Sequence, residues 1–329
     1  MAPRRILSGI QPTGLMHIGN YFGAIRNWVA LQEPGTECFY CAVDYHSITV
    51  KHDPKELRER SIGLVMDLLA CGIDPEKSAL FLQSQVPEHT ELAWILASVT
   101  SFGDLERMTQ FKDKSTDKEF VSAGLFTYPI LMAADILVYK ATHVPVGADQ
   151  LQHLEQTSDI AKRFNHWFGE TFPEPKPVFT KATKIMSLAD PTKKMSKSLG
   201  DKHWVGVFED EASARKKIRS AVTATGGAPA NEMQPGVASL FLILEQCAPE
   251  SAIEPLRAAD KEGKLKYSEL KDAVANHLME TLRPMREKRA AITEKYAREV
   301  LVAGGERART VARATIAEAR EKIGLYEVK

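Results

Sequence analysis

Apolar residues follow two rhythms along this chain. Short apolar runs at Arg4–Ser8, Phe39–Val43 and Ala79–Leu82 have the length of strands. Segments of helical period lie between them. In His17–Gln32 the apolar positions Ile18, Tyr21, Phe22, Ile25, Trp28 and Val29 fall on one helical face. Asp53-Pro54-Lys55-Glu56 reads as a helix start, with aspartate as N-cap, proline in the first turn and glutamate reaching back. That helix runs to Cys71 and stops at Gly72. Strands alternating with helices predict a parallel sheet covered on both faces.

From about residue 105 to 172 the rhythm changes. Helical pattern dominates, broken by a polar loop at Lys112–Lys118 and a short strand at His143–Val146. The stretch reads as a helical insertion into the sheet domain. Pro173, Pro175 and Pro177 return the chain to the sheet at Val178-Phe179 and Ile185-Met186. The remainder reads as all-helical: Glu209–Ala224, Val237–Cys247, Tyr267–Met279 and a charged segment from Pro284 onward, with turns at Gly226-Gly227 and Gly304-Gly305. The expectation is a Rossmann-like α/β unit over residues 1–204, with its insertion at about 105–172, and an all-helical domain over 205–329.

A length of 329 residues suits two domains. Lysine and arginine total 43, and aspartate and glutamate total 43. With no net charge, any contact with nucleic acid has to use local patches. The basic stretch Arg283, Arg286, Lys288 and Arg289 is interleaved with Glu280, Glu287 and Glu294 and reads as a solvated face. Arg4-Arg5 precedes an apolar segment broken at Gly9, which does not resemble a signal peptide, and no apolar run is long enough to span a bilayer. Cys38, Cys41, Cys71 and Cys247 form no secreted disulfide framework, so a reducing, cytoplasmic setting is expected. Cys38 and Cys41 lie in a buried strand pattern and lack a second pair of zinc ligands; they read as core cysteines, with no protein-ligated metal.

Four places carry candidate chemistry. The turn Ser8-Gly9-Ile10-Gln11-Pro12-Thr13-Gly14 enters a helix at His17-Ile18-Gly19-Asn20. Unpaired N–H groups at such a helix start favour an anion, and His17 and Asn20 share its first turn; a helix cap with an exposed histidine is the plainer alternative. Lys194-Met195-Ser196-Lys197-Ser198 is a polar loop whose two ammonium groups suit charge building on a leaving pyrophosphate. A turn and a distant lysine loop can together hold a triphosphate from two sides. Lys112 and Lys114 could add cations, or form a solvated loop. Gly147-Ala148-Asp149-Gln150 follows a short strand, where ligands of open α/β sheets bind. Asp149 there can take two ribose hydroxyls or cap the next helix. Asp135 interrupts the apolar helix Tyr128–Leu137. A buried carboxylate is costly unless paired, so it faces solvent, a cation, a ligand or another helix. Met132 and Ile136 flank it at helical spacing.

These motifs in this order resemble the class I aminoacyl-tRNA synthetases, and within them the bacterial-type tryptophanyl-tRNA synthetases. The resemblance covers the first 200 residues: Ser8–Gly14, His17–Asn20, Asp44–Thr49, Glu106–Lys112, Tyr128–Leu137, Val144–Gln150 and Lys194–Ser198. Asn20 stands where the wider class has a second histidine, as is usual in the tryptophan branch. Gly-Ile-Gln-Pro-Thr-Gly, Met-Thr-Gln-Phe-Lys and Leu-Met-Ala-Ala-Asp-Ile-Leu separate it from the tyrosine branch, which shares the fold. The family commonly continues Asp-Pro after the lysine loop, whereas this chain has Leu199-Gly200-Asp201.

The resemblance implies that Gln11, Pro12, Thr13, Gly19, Asn20, Gly147, Ala148, Asp149, Ile185 and the loop Lys194, Met195, Ser196, Lys197, Ser198 contact ATP. His17, Asn20, Lys114, Lys194 and Lys197 would assist catalysis. Asp135 would accept the indole N–H of tryptophan beside Met132 and Ile136. Tyr128 and Gln150 would hold the amino group, with His46 near the pocket. It further implies Mg²⁺ carried on the phosphates of ATP, tRNA(Trp) and L-tryptophan as partners, a helical domain on the anticodon side, and a homodimer formed through the insertion. A decayed, non-catalytic paralogue would have lost these ATP motifs, and here they are intact.

Overall fold

A computed structural model describes residues 4–108, 120–147, 150–179, 184–223 and 233–326. Its centre is a five-stranded sheet of β1 (Arg4–Ile10), β2 (Thr36–Ala42), β3 (Ser78–Leu82), β4 (His143–Val146) and β5 (Lys176–Phe179). The spatial order is β3-β2-β1-β4-β5, and each neighbouring pair runs parallel. Order therefore reverses between β1 and β4, where ligands bind in folds of this kind.

Successive residues of a strand face opposite sides, and here both sides are apolar. Ile6, Cys38, Tyr40 and Leu80 enter one core, with Phe22, Trp28, Leu64 and the helices after residue 210. Leu7, Phe39, Cys41 and Phe81 enter the other, with Leu92, Ile130, Leu137, Tyr139 and Phe164. Cys38 and Cys41 are free thiols in these two cores. The chain between β3 and β4 is helical at Glu88–Ala97, Phe102–Glu106 and Ala123–Leu137, and Leu151–Phe168 connects β4 to β5.

The helix after the first turn is built from three pieces: Ile18–Asn20, a π-pitched Tyr21–Ile25, and Arg26–Ala30. Asp53 caps Pro54–Ala70 by accepting from the amides of Lys55 and Glu56 at 2.7 and 3.0 Å. Gly72 follows with φ of 109°.

Four expectations need correction. Ile185-Met186 is not a sheet strand; Met186 pairs with Lys194 in an isolated antiparallel bridge. Tyr267–Ala291 is one helix that continues through Pro284. The stretch Arg283–Arg289 is not a purely solvated face: Arg286 donates to the Val207 carbonyl at 2.8 Å, and Arg289 donates to Asp67 of the helix Pro54–Ala70 at 2.7 Å. Gly304-Gly305 is not a turn but lies inside Glu294–Lys322. There the helix crosses β3 so closely that a Cβ on Gly304 would stand 2.0 Å from the Leu80 carbonyl oxygen. Glycine serves this contact by being small, at a modest cost in helix propensity. Gly226-Gly227 lies outside the described residues.

Candidate active site

The chain leaves β1 through Gln11–Gly14, with Thr13 N bonded to the Gln11 carbonyl at 2.8 Å. Gly14 has φ of 96°, a conformation that side chains disfavour. His17 then caps the helix. Its Nδ1 accepts the Asn20 amide at 3.2 Å, and Asn20 Oδ1 accepts the His17 amide at 3.2 Å. Nδ1 must carry a lone pair to do this, so the ring is neutral with its proton on Nε2. Burial favours that state, Lys197 and Lys194 reinforce it, and the His17 pKa falls to about 4. Of the plainer reading, a helix cap with an exposed histidine, only the cap holds: the ring is buried and faces two lysines.

The lysine loop follows β5 in the chain. Met195 anchors it, buried, with its amide on the Ile185 carbonyl at 3.0 Å. Lys197 then reaches back 184 residues in sequence. Its Nζ donates to the carbonyls of Thr13 at 2.9 Å and Leu15 at 3.0 Å, and meets Thr13 Oγ1 at 3.3 Å. Ser196 and Ser198 pair through their hydroxyls at 2.9 Å. The segment after the loop closes the arrangement, with Ile18 N on the Val205 carbonyl and Val207 N on the Met16 carbonyl. Turn and loop are thus in direct contact.

Beneath the turn lies a cavity of about 340 Å³, within the usual range for small-molecule sites. It opens between the carboxyl ends of β1 and β4, lined by Ser8, Gly9 and Gln11 on one side and Val144, Pro145 and Val146 on the other. His46, Tyr128, Met132, Asp135, Ile136 and Gln150 complete it. A second, more open cavity of about 800 Å³ shares Gln11 and His46 with the first and continues past Pro12 and Thr13 to Arg60.

Asp135 is buried and richly partnered. Gln83 Nε2 donates to its Oδ1 at 2.7 Å, His89 Nδ1 lies 2.6 Å from the same oxygen, and His46 Nε2 lies 2.8 Å from Oδ2. Burial pushes this carboxyl up, but the hydrogen bonds from His46 and His89 outweigh it and hold the pKa at about 2. Asp135 is therefore an anion and an acceptor only. The interhelical hydrogen-bond reading holds, because the carboxylate binds the neighbouring helix through His89, and the same carboxylate also lines the cavity.

The six residues singled out for an amino-acid pocket, Asp135, Met132, Ile136, Tyr128, Gln150 and His46, meet in one place. Tyr128 is further tied to His153, its hydroxyl 2.8 Å from Nε2. Gly147 sits at the end of β4, where its carbonyl accepts the Gln150 amide at 3.0 Å. Lys112, Lys114, Ala148 and Asp149 lie outside the described residues. Gln83, His89 and Tyr139 were not legible as site residues. A carboxylate inside an apolar helix signals that partners exist; the resemblance implied His46, but no local pattern points to Gln83 or His89.

The arrangement agrees with known proteins. Residues 1–283 match the family model described as class I tRNA synthetases (W and Y). The chain is 46% identical over 326 residues to the tryptophan–tRNA ligase of Caldanaerobacter subterraneus subsp. tengcongensis, covering 98% of each chain. It is 44% identical over 338 residues to the tryptophan–tRNA ligase 2 of Streptomyces avermitilis, covering 99% of this chain and 98% of the relative. Among solved structures, tryptophanyl-tRNA synthetase from Mycoplasma pneumoniae superposes with a TM-score of 0.87 at 35% identity, covering 98% of each chain. The Campylobacter jejuni enzyme complexed with ADP and tryptophan gives 0.85 at 35% identity, covering 98% of this chain and all of that one.

Proposed function

The chain belongs to the class I tRNA synthetases of the tryptophan and tyrosine family, and from that premise we propose that it attaches L-tryptophan to tRNA(Trp). ATP is consumed, a tryptophanyl-adenylate forms, and pyrophosphate and then AMP are released. The observation that carries this reading is the cavity with one anionic acceptor, Asp135, beside Met132 and Ile136, lying directly under a turn that Lys197 grips.

Asp135 takes the indole N–H, with Met132 and Ile136 against the ring. Tyr128 and Gln150 hold the amino group, and His46 closes the pocket. Gln11, Pro12, Thr13, Gly19 and Asn20 cradle the triphosphate, with Gly147, Ala148, Asp149 and Ile185 at the nucleoside. The tryptophan carboxylate attacks the α-phosphate, and electrons leave with the pyrophosphate oxygen. Lys194, Lys197 and the hydroxyls of Ser196 and Ser198 stabilise the charge that grows there, with Lys114 as a further cation. A terminal ribose hydroxyl of the tRNA then takes the aminoacyl group from AMP. No protein nucleophile takes part; alignment and fixed charge supply the catalysis. Among the described residues no group of three or more His, Cys, Asp or Glu side chains is placed to hold a metal ion. Magnesium enters on the phosphates, as part of the substrate.

The exposed Phe120 of the insertion, with exposed Trp94 and Phe102 on the helices just before it, supports a homodimer through the insertion. The four free cysteines support a cytoplasmic setting, and among the described residues no helix is long and apolar enough to cross a membrane. Tryptophan-dependent ATP–pyrophosphate exchange tests the assignment. Wild type is expected to favour tryptophan over phenylalanine by roughly 10⁴ or more, because a site built around a polar group rejects analogues lacking it. Exchange with tyrosine in place of tryptophan would refute it.

A further inference from the structure

We propose that His89, held by Tyr139, is a positioning residue that leaves the pocket carboxylate with a single acceptor direction, and so makes the site selective for a ring bearing one N–H. The proposal rests on the reading of the Asp135 cavity as the indole site.

The argument is a count of donors and acceptors. An ionised carboxylate offers about four lone-pair directions. On Oδ1, Gln83 Nε2 occupies one and His89 Nδ1 another. On Oδ2, His46 Nε2 occupies a third. One direction on Oδ2 remains for a ligand, and an indole presents one N–H. If His89 stopped donating, Oδ1 would regain an open site and the carboxylate could turn, so its remaining lone pair would no longer have a fixed aim.

His89 donates to Asp135 only in the tautomer with hydrogen on Nδ1. Tyr139 selects that tautomer, its hydroxyl lying 2.7 Å from His89 Nε2. Asp135 accepts only, so Nδ1 carries the hydrogen; Nε2 of the neutral ring then offers a lone pair, and the Tyr139 hydroxyl, kept protonated by burial, donates to it. The chain of donation runs from Tyr139 through His89 to Asp135. Neither side chain has room to leave it. His89 is fully buried, and the Tyr139 ring stacks on Phe39 with centroids 4.6 Å apart and meets Phe81 edge-on at 5.6 Å. This is the second-layer logic that orients metal-bound histidines, applied here to an organic ligand.

The test compares tryptophan with β-(3-benzothienyl)alanine, in which sulfur replaces the indole N–H, in ATP–pyrophosphate exchange. The variants are Tyr139→Phe, which removes one oxygen from a packed ring, and His89→Asn, whose amide can still donate to Oδ1. Tyr139→Phe should lower the tryptophan-to-analogue ratio of kcat/KM roughly tenfold, through KM for tryptophan, with KM for ATP unchanged. His89→Asn should keep most of the ratio, because the donor to Asp135 survives. The proposal is overturned if Tyr139→Phe changes both substrates equally, or if all parameters fall together with thermal stability. A wild type that treats tryptophan and the analogue alike would instead overturn the pocket reading, and the proposal with it.

Discussion

Replacing Lys197 by methionine keeps its length and removes its charge, and the structure sets the expected size of the effect. In the resting protein Lys197 is partly buried, and its ammonium donates to three neutral oxygens of the N-terminal turn, at 2.9, 3.0 and 3.3 Å. Exposed bonds of this kind contribute little to stability, so a loss of about 1 kcal/mol or less is expected. The transition state differs. Leaving pyrophosphate gains about one unit of charge, and an ammonium at ~4 Å across an effective dielectric of ~20 interacts with it by about 4 kcal/mol. That agrees with the measured range for a removed charge-stabilising donor, about 3–4 kcal/mol, or roughly 10²–10³ in rate. Lys197→Met should therefore slow adenylate formation by roughly 10²–10³, with little change in KM for ATP. Rapid-quench single turnover with saturating tryptophan measures the rate, and a melting curve checks the fold. An unchanged rate with weaker ATP binding would refute the reasoning and leave Lys197 a passive clamp.

Three further outcomes are expected. In the free protein the His17 ring should titrate near pH 4, read by NMR; a midpoint near 6.5 would mean the ring is not held neutral by burial and the two lysines. Its folded pKa lies below its unfolded one, so the unfolded chain takes up the proton first, and this residue's share of stability declines as pH falls from about 6.5 to about 4. Asp135→Asn should destabilise the protein by about 1–3 kcal/mol in denaturant titration, since it puts an N–H against one of three buried donors; a gain in stability would show the carboxylate to be an uncompensated charge. Gly304→Ala should cost about 1–3 kcal/mol or more by overpacking, because its methyl group would meet the Leu80 carbonyl; an unchanged denaturation midpoint would refute that contact.

The strands and the adenylate motifs were legible because their signals are local. Four short apolar runs coincide with β1 to β4, and the capped helix start at Asp53 stands where its residues put it. Failures arose where a residue answers to something distant. Gly304-Gly305 carries a turn signal, but the helix continues through it because close packing on β3 outweighs the propensity loss. Ile185-Met186 has the apolar character of a strand, yet it pairs with the lysine loop. Arg286 and Arg289 look like a surface patch until the distant segments holding Val207 and Asp67 pack against them. Asp135 announced a need for partners without naming them. Gln83 and His89 reach it from β3's far end and the helix beyond, a relation that only the assembled sheet creates.

The most direct measurement gives wild-type protein ATP, magnesium, pyrophosphatase and an equimolar mixture of all twenty amino acids, and identifies the adenylate retained on the protein by mass spectrometry. Tryptophanyl-adenylate should be the product, and it should transfer its aminoacyl group to tRNA(Trp) when that is added. Tyrosyl-adenylate, or no adenylate at all, would contradict the assignment of the cavity around Asp135 and of the lysine loop above it.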